Sequence, residues 1–539
     1  MLGCGVFAAA VAATPAAAAA EVQLRDPVTY PTAAAVGAVR SADINGDGAL
    51  DLIASESTLG GLTTYLGDGS GAFHYRARID LRNGDEMIVA DFDADGDPDV
   101  VTASRSGGEF GIVLGREGRG FGPEQTTPTG NAVRGLAAAD FNGDQTLDLA
   151  VAHRLAGPIF DGGIAIHLGD GAGGFSAPAE IATLAMPRAI ATADFNGDGD
   201  PDLGFAGTEG ATVLTGGPGA SFPTRADYRI DSGATDIALA DLSGDGDPDM
   251  ALVNPLGGAA SVLLGGPAAS FGSPTNFPVA AAEHLGLARL DRDSMPDLVT
   301  AGSAQAADIS LLANRGDGSF EPAGDLGDPP YPGDVWADDL DSNGTDDLLI
   351  GSYIDSTVTV YLTDYAAPRI TITNGPRSGS ATNDPTPAFS FAADEPASFR
   401  CGFDGKSLRP CLSGRSQTPG APLDDGRHSF RVKGTDTVGN RTGGAIVVRF
   451  AIDTVRPEVA ITKAPATYTS DRVARYRFTA SDPEAEPLEL KCKLDRRPYT
   501  PCVSPLHTPR LRRGEHRFKV VATDGAGNAR SARDRFTVR

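Results

Sequence analysis

Apolar residues between Glu21 and Tyr365 fall in short runs that alternate with polar positions and are broken by glycine. DLIAS, DVVTAS and DLAVAH are each followed by a Gly-containing loop and a second apolar run, such as GIVLG, IAIHLG or SVLLGG. A Gly-rich turn then ends in phenylalanine, at Phe73, Phe121, Phe175, Phe222, Phe271 and Phe320. The runs are too short for helices and alternate too regularly for disorder, so they predict β-strands. Each unit is headed by a small apolar stretch, as in LAAADF or IALADL, which predicts one more strand.

The units are copies. An acidic block recurs as DINGDGALD, DFDADGDPD, DFNGDQTLD, DFNGDGDPD, DLSGDGDPD, RLDRDSMPD and DLDSNGTDD. These start at Asp43, Asp91, Asp140, Asp194, Asp241, Arg289 and Asp339, spaced by 48, 49, 54, 47, 48 and 50 residues. Seven units of about fifty residues with four strands each predict an all-β fold containing a seven-bladed β-propeller. The seventh unit stops at TVTVYLTDY without its Phe turn, and VQLRDPVTYPTAAAVG resembles a missing last strand. The N-terminal segment is therefore expected to complete the seventh blade and remove the open sheet edge.

Oxygen-bearing side chains stand at positions 1, 3, 5 and 9 of the block. They are Asp43, Asn45, Asp47 and Asp51 in the first copy, and Asp91, Asp93, Asp95 and Asp99 in the second. The third and fourth give Asp140, Asn142, Asp144, Asp148 and Asp194, Asn196, Asp198, Asp202. The fifth gives Asp241, Ser243, Asp245 and Asp249; the seventh gives Asp339, Asp341, Asn343 and Asp347. Hard oxygens converging at this density suit Ca²⁺. Carboxylates so close would repel one another without a cation. An EF-hand is rejected, since position 12 carries Ala54 or Thr102 rather than glutamate and the flanks read as strands. The competing reading, solvated Asp-Gly turns, would suit one isolated block better than seven phased ones. Gln145 replaces the usual glycine at position 6 of the third copy, which is expected to weaken it. The sixth copy has Arg289 at position 1, and its guanidinium is expected to replace the ion by pairing with Asp291, Asp293 and Asp297. About six ions are expected in all.

Loop, Phe turn and period together resemble the FG-GAP, or VCBS, repeats of the integrin α-subunit propeller and of bacterial exported proteins. The resemblance covers residues 22–365. It implies seven blades, calcium in the loops just named, and a ligand on the opposite face, where the second and third strands of each blade are joined.

Residues 366–453 and 454–539 resemble each other. Both open on a Pro-containing strand (PRITIT, RPEVAIT), carry FRCGFDGKSLRPC or LKCKLDRRPYTPC, and continue through DDGRHSFRVKGTD or RRGEHRFKVVATD. Their length and strand spacing predict two immunoglobulin-like β-sandwiches, similar to bacterial Ig-like repeats. The equal spacing of Cys401 with Cys411 and of Cys492 with Cys502 points to two local disulfides. His428 and His516 occupy equivalent strand positions and show no partner in the sequence, so they read as packing or surface residues.

Charge changes the picture little. The net charge is −26, although Thr454 to Arg539 holds 18 Lys and Arg against 10 Asp and Glu. A nucleic-acid partner is not expected of so acidic a chain. Arg496, Arg497, Arg512 and Arg513 are candidates for a basic contact, against the plainer reading of a solvated surface. Residues 1–20 are apolar and Ala-rich, which predicts a signal peptide despite the lack of an early basic residue. Cys4 leaves a lipoprotein anchor as a lesser alternative. No later apolar run is long enough to span a membrane. Paired cysteines agree with an oxidising compartment.

No G-x-S-x-G, P-loop or H-E-x-x-H motif is present, and the seven histidines are scattered. The expectation is an exported, monomeric, calcium-binding propeller that binds an extracellular protein or glycan and is not an enzyme. The alternative is a polysaccharide-active enzyme or lyase, whose carboxylate pair need only meet in space.

Overall fold

The computed structural model describes residues 22–539 except 83, 117, 119, 155–161, 184–185, 281, 303–308 and 484–486. The signal-like segment, Cys4 and residues 155–161 of the 54-residue third unit lie outside the described residues. Those described form strands and turns without a helix. The chain divides into two compact units after Asp364.

Among the described residues, unit one holds seven four-stranded antiparallel sheets. In the first, β2 (Val36–Ala42) leads into the acidic loop, followed by β3 (Asp51–Glu56), β4 (Leu62–Gly67) and β5 (Phe73–Ile79). The second and third strands are buried along nearly their whole length, because each sheet is covered on both faces by its neighbours. Core clusters accordingly straddle sheets: Ile53 and Leu62 of the first pack with Met87, Val100 and Val113 of the second. Successive first strands contact one another, and that of the seventh sheet (Pro332–Asp338) contacts β2, closing a ring. This is a β-propeller.

The ring is closed by β1 (Val28–Pro31), which pairs with Thr357–Tyr361 in the register Val28↔Val360 and Tyr30↔Val358. The sheet is thus made of strands from both ends of the unit. Tyr30 also stacks edge-on against Phe73 and Tyr65 of the first sheet at 5.5 and 5.4 Å, so the closing strand is fastened to both neighbours. Arg25 pairs with Asp364 at 2.9 Å beside it.

The Phe turns lock adjacent sheets together. Phe175 packs on Phe92 at 5.8 Å, Phe222 on Phe141 at 5.9 Å and Phe271 on Phe195 at 5.3 Å. In each pair the partner is position 2 of the preceding sheet's acidic loop. That position is apolar and buried in all seven copies, from Ile44 to Leu340. Loop and turn therefore share one face, and these three loops are each seated on a phenylalanine of the next blade.

Unit two contains two β-sandwiches. In the first, Ile370–Asn374 pairs with Ser390–Ala393, facing a sheet built on Gly426–Asp436. Phe389 stacks on Phe430 at 4.6 Å in its core. The second repeats the plan around Gly514–Thr523, with Tyr476 stacked on Phe518 at 3.9 Å. Cys401–Cys411 and Cys492–Cys502 are disulfides with Cα separations of 6.0 and 5.7 Å. Each joins neighbouring strands at one edge of its sheet.

Candidate metal loops

Each acidic loop is organised by its own carboxylates. Asp43 at position 1 accepts the backbone N–H groups of Gly46 and Gly48, both at 2.7 Å. Asp194 does the same for Gly197 and Gly199, at 2.7 and 2.9 Å. Position 5 accepts the N–H two residues on, as Asp95 does from Asp97 at 2.9 Å and Asn343 from Thr345 at 2.8 Å. Position 6 adopts a left-handed backbone in all seven copies. Glycine supplies it in five, whereas Gln145 (φ 72°) and Ser294 (φ 74°) hold it with a side chain.

Position 9 has a role that sequence alone did not reveal. Its aspartate is fully buried in all seven copies. One carboxylate oxygen accepts the N–H of position 2 and the other accepts an N–H at the end of the third strand. Asp51 bonds Ile44 (3.0 Å) and Gly67 (2.8 Å), Asp99 bonds Phe92 and Gly115 (both 2.7 Å), and Asp347 bonds Leu340 (2.9 Å) and Thr363 (2.7 Å). Asp297 keeps both bonds, to Leu290 and Asn314 at 2.9 Å, although its loop begins with arginine. This aspartate pins the loop to the sheet. The recurrent glycine after the third strand follows from the same packing. A Cβ at Gly67 would lie 2.1 Å from the Leu50 carbonyl oxygen, and one at Gly169 2.2 Å from that of Leu147.

Three carboxylates converge within 4.8 Å in two loops, Asp91 with Asp93 and Asp99, and Asp339 with Asp341 and Asp347. The first, third, fourth and fifth loops carry Asn45, Asn142, Asn196 or Ser243 at position 3, and so present fewer charges. Burial, reinforced by the neighbouring aspartates, pushes Asp99 up to about 6 and Asp347 up to about 7. Burial likewise raises Asp51, Asp148, Asp202 and Asp249. In the seventh loop, Asp341 Oδ1 is buried without a hydrogen-bond partner. A converging carboxylate set with an orphaned oxygen fits a hard divalent cation, which would satisfy that oxygen and reverse the repulsion.

The sixth loop departs from expectation. Arg289 does not turn inward to Asp291, Asp293 and Asp297. Its Nε and Nη2 bond Asp346 at 3.2 and 2.8 Å, and its backbone N–H donates to the same carboxylate at 2.7 Å. Asp346 is position 8 of the seventh loop, so the guanidinium ties two neighbouring loops together instead of filling one. A planar fork finds a bidentate acceptor there, while the loop interior is already engaged through backbone N–H groups.

The histidines of unit two also differ from the sequence reading. His428 bonds Asp404 Oδ2 through Nδ1 and the Asp424 carbonyl through Nε2, both at 2.7 Å. His516 repeats this with Asp495 and the Arg512 carbonyl, at 2.9 and 2.8 Å. Burial opposes charge on both, but the hydrogen bonds outweigh it and raise their pKa. Each clamps a strand to a turn whose aspartate has a left-handed backbone. Arg496, Arg497, Arg512 and Arg513 are exposed. Asp453 and Asp524, which the sequence reading passed over, are buried and each has a carboxylate oxygen without a hydrogen-bond partner.

Residues 43–102, 91–151 and 156–205 match the family model of the FG-GAP-like repeat. No curated protein matches the chain. Among solved structures, the extracellular domain of a hybrid two component system from B. thetaiotaomicron aligns at 12% identity and a TM-score of 0.40, over 79% of this chain and 58% of that one. The chain thus spans less than two thirds of that structure. Fibronectin(III)-like modules of Clostridium thermocellum CbhA align at 16% identity and a TM-score of 0.25, over 32% of this chain and 94% of theirs.

Proposed function

We propose that the chain is an exported calcium-binding protein. Its seven-bladed propeller is stapled by Ca²⁺ and followed by two immunoglobulin-like domains, and the whole serves adhesion or ligand binding outside the cell. The observation that carries this reading is the convergence of carboxylates in phased loops with an orphaned oxygen at Asp341. The two disulfides support an oxidising compartment. Calcium is structural here, because the loops sit against the Phe turns of the next blade and leave the opposite face open. The ligand belongs on that opposite face, among the connections between second and third strands, where Leu256 and Ile354 are exposed. Glycans are the leading class, since projecting loops on a rigid ring suit an extended chain.

A glycan array read with calcium and with chelator tests the binding role. Calcium-dependent capture of a neutral glycan is expected. Product release on incubation with polysaccharides would replace the binding role by an enzymatic one.

A further inference from the structure

The first strand of each blade runs toward its acidic loop, so its opening residues ring the axis on the other face. A cavity of about 850 Å³ opens there, within the range of small-molecule sites. Most of these strands begin with a bulged register, which re-aims a side chain toward the axis. The bulge residue is Gly37 in the first blade, Arg134 in the third, Arg188 in the fourth, Glu283 in the sixth and Gly333 in the seventh. Asp236, at the start of the fifth blade's strand, lies between the arginine pair and Glu283 in ring order.

The charges of this cavity are sorted by blade. Two arginines are already committed: Arg40 to Asp334 at 2.6 Å, and Arg105 to Glu86 at 2.8 Å. Among the described residues Arg134, Arg188, Asp236 and Glu283 form no ion pair. The carboxylate of Asp236 accepts only backbone N–H groups, from Ile237 at 2.9 Å and Leu285 at 3.0 Å. Burial and the guanidinium groups of Arg105, Arg154 and Arg188 depress Arg134, while burial with Asp334 and Glu86 pushes Asp236 up to about 7. Unpaired basic groups thus gather on blades three and four and unpaired acidic groups on blades five and six, with Arg188 and Glu283 exposed at the rim and Arg134 and Asp236 half-buried. His284 is held toward its neutral form by burial and adds to neither sector.

We propose that the axial cavity binds a small zwitterion, with its carboxylate against Arg134 and Arg188 and its ammonium against Asp236 and Glu283. A ligand bearing one charge alone would engage only one of the two sectors. The site is separate from the peripheral loops, so the glycan-array result does not bear on it.

Trp336 lines the cavity beneath Arg40, whose guanidinium lies 4.4 Å from the ring centroid, and it is the chain's one tryptophan. Its fluorescence reports occupancy. The calcium-loaded full chain is titrated with glycylglycine as the peptide source and muramic acid as the amino-sugar source. N-acetylglycylglycine and glycylglycinamide remove one charge each. At least one zwitterion is expected to bind below about 1 mM, and each capped dipeptide about tenfold more weakly than its parent if the ligand is peptidic. Arg188→Ala and Glu283→Gln, with unchanged melting, should each weaken the zwitterion about tenfold. Failure of both zwitterions to bind at about 10 mM, or equal binding by the two variants and the parent protein, overturns the proposal.

Discussion

At the residue scale, the acidic loop divides its carboxylates between two jobs. Position 9 fastens the loop whether or not a cation is present, and in the second and seventh loops positions 1 and 3 complete the carboxylate set around the ion. Asp297→Ala strips the acceptor from two buried N–H groups, and is expected to cost about 2–3 kcal/mol equally in calcium and in chelator. Asp93→Ala, by contrast, should lower stability in calcium and change little in chelator, as denaturant melts in the two conditions would show. Gln145→Gly relieves a left-handed side chain and should raise stability by up to about 1 kcal/mol in the same assay. Positions 1 to 9 were legible because the spacing repeats within one segment. The double bond of position 9 was not, because its second donor, such as Gly67 or Asn314, lies on a different strand. Arg289 was misread for the same reason: its acceptor Asp346 stands 57 residues away on the next blade. The histidines of unit two failed similarly, with Asp404 and Asp495 lying 24 and 21 residues upstream.

At the scale of elements, the strand pattern was readable because both central strands of each blade are apolar and bounded by Gly-rich turns. The closing role of β1 was readable too, since the seventh unit visibly lacks its last strand. The Phe turns were visible as a motif but not as contacts, because Phe175 meets Phe92 only once the blades are arranged in a ring. Removing residues 22–31 would leave the Thr357–Tyr361 strand as an unpaired edge carrying Val358 and Val360. Such a truncation is expected to broaden the thermal transition and drive self-association, measurable by calorimetry and light scattering. In unit two, each short disulfide loop should contribute about 2–3 kcal/mol, so reduction lowers the melting of the sandwiches.

At the scale of the molecule, the propeller concentrates buried carboxyls whose pKa values lie above those of the unfolded chain. Asp99 rises to about 6, and Asp297 and Asp347 to about 7, chiefly through burial. In the absence of calcium the folded state then holds more protons than the unfolded state across that window. Stability is therefore lost as pH rises from about 4 to about 7. A cation favours the ionised form in the loops that hold one, so saturating calcium should flatten the part of the slope carried by Asp99 and Asp347 and leave that of Asp297. The acidic body of the chain is thus better understood as a set of ion sites than as a polyanionic surface. The most direct test is the thermal unfolding of the propeller at neutral pH with saturating calcium and with excess chelator. Ions that bind only the folded state must raise the melting temperature, and chelation should lower it clearly. Superimposable melting curves in the two conditions would contradict the account.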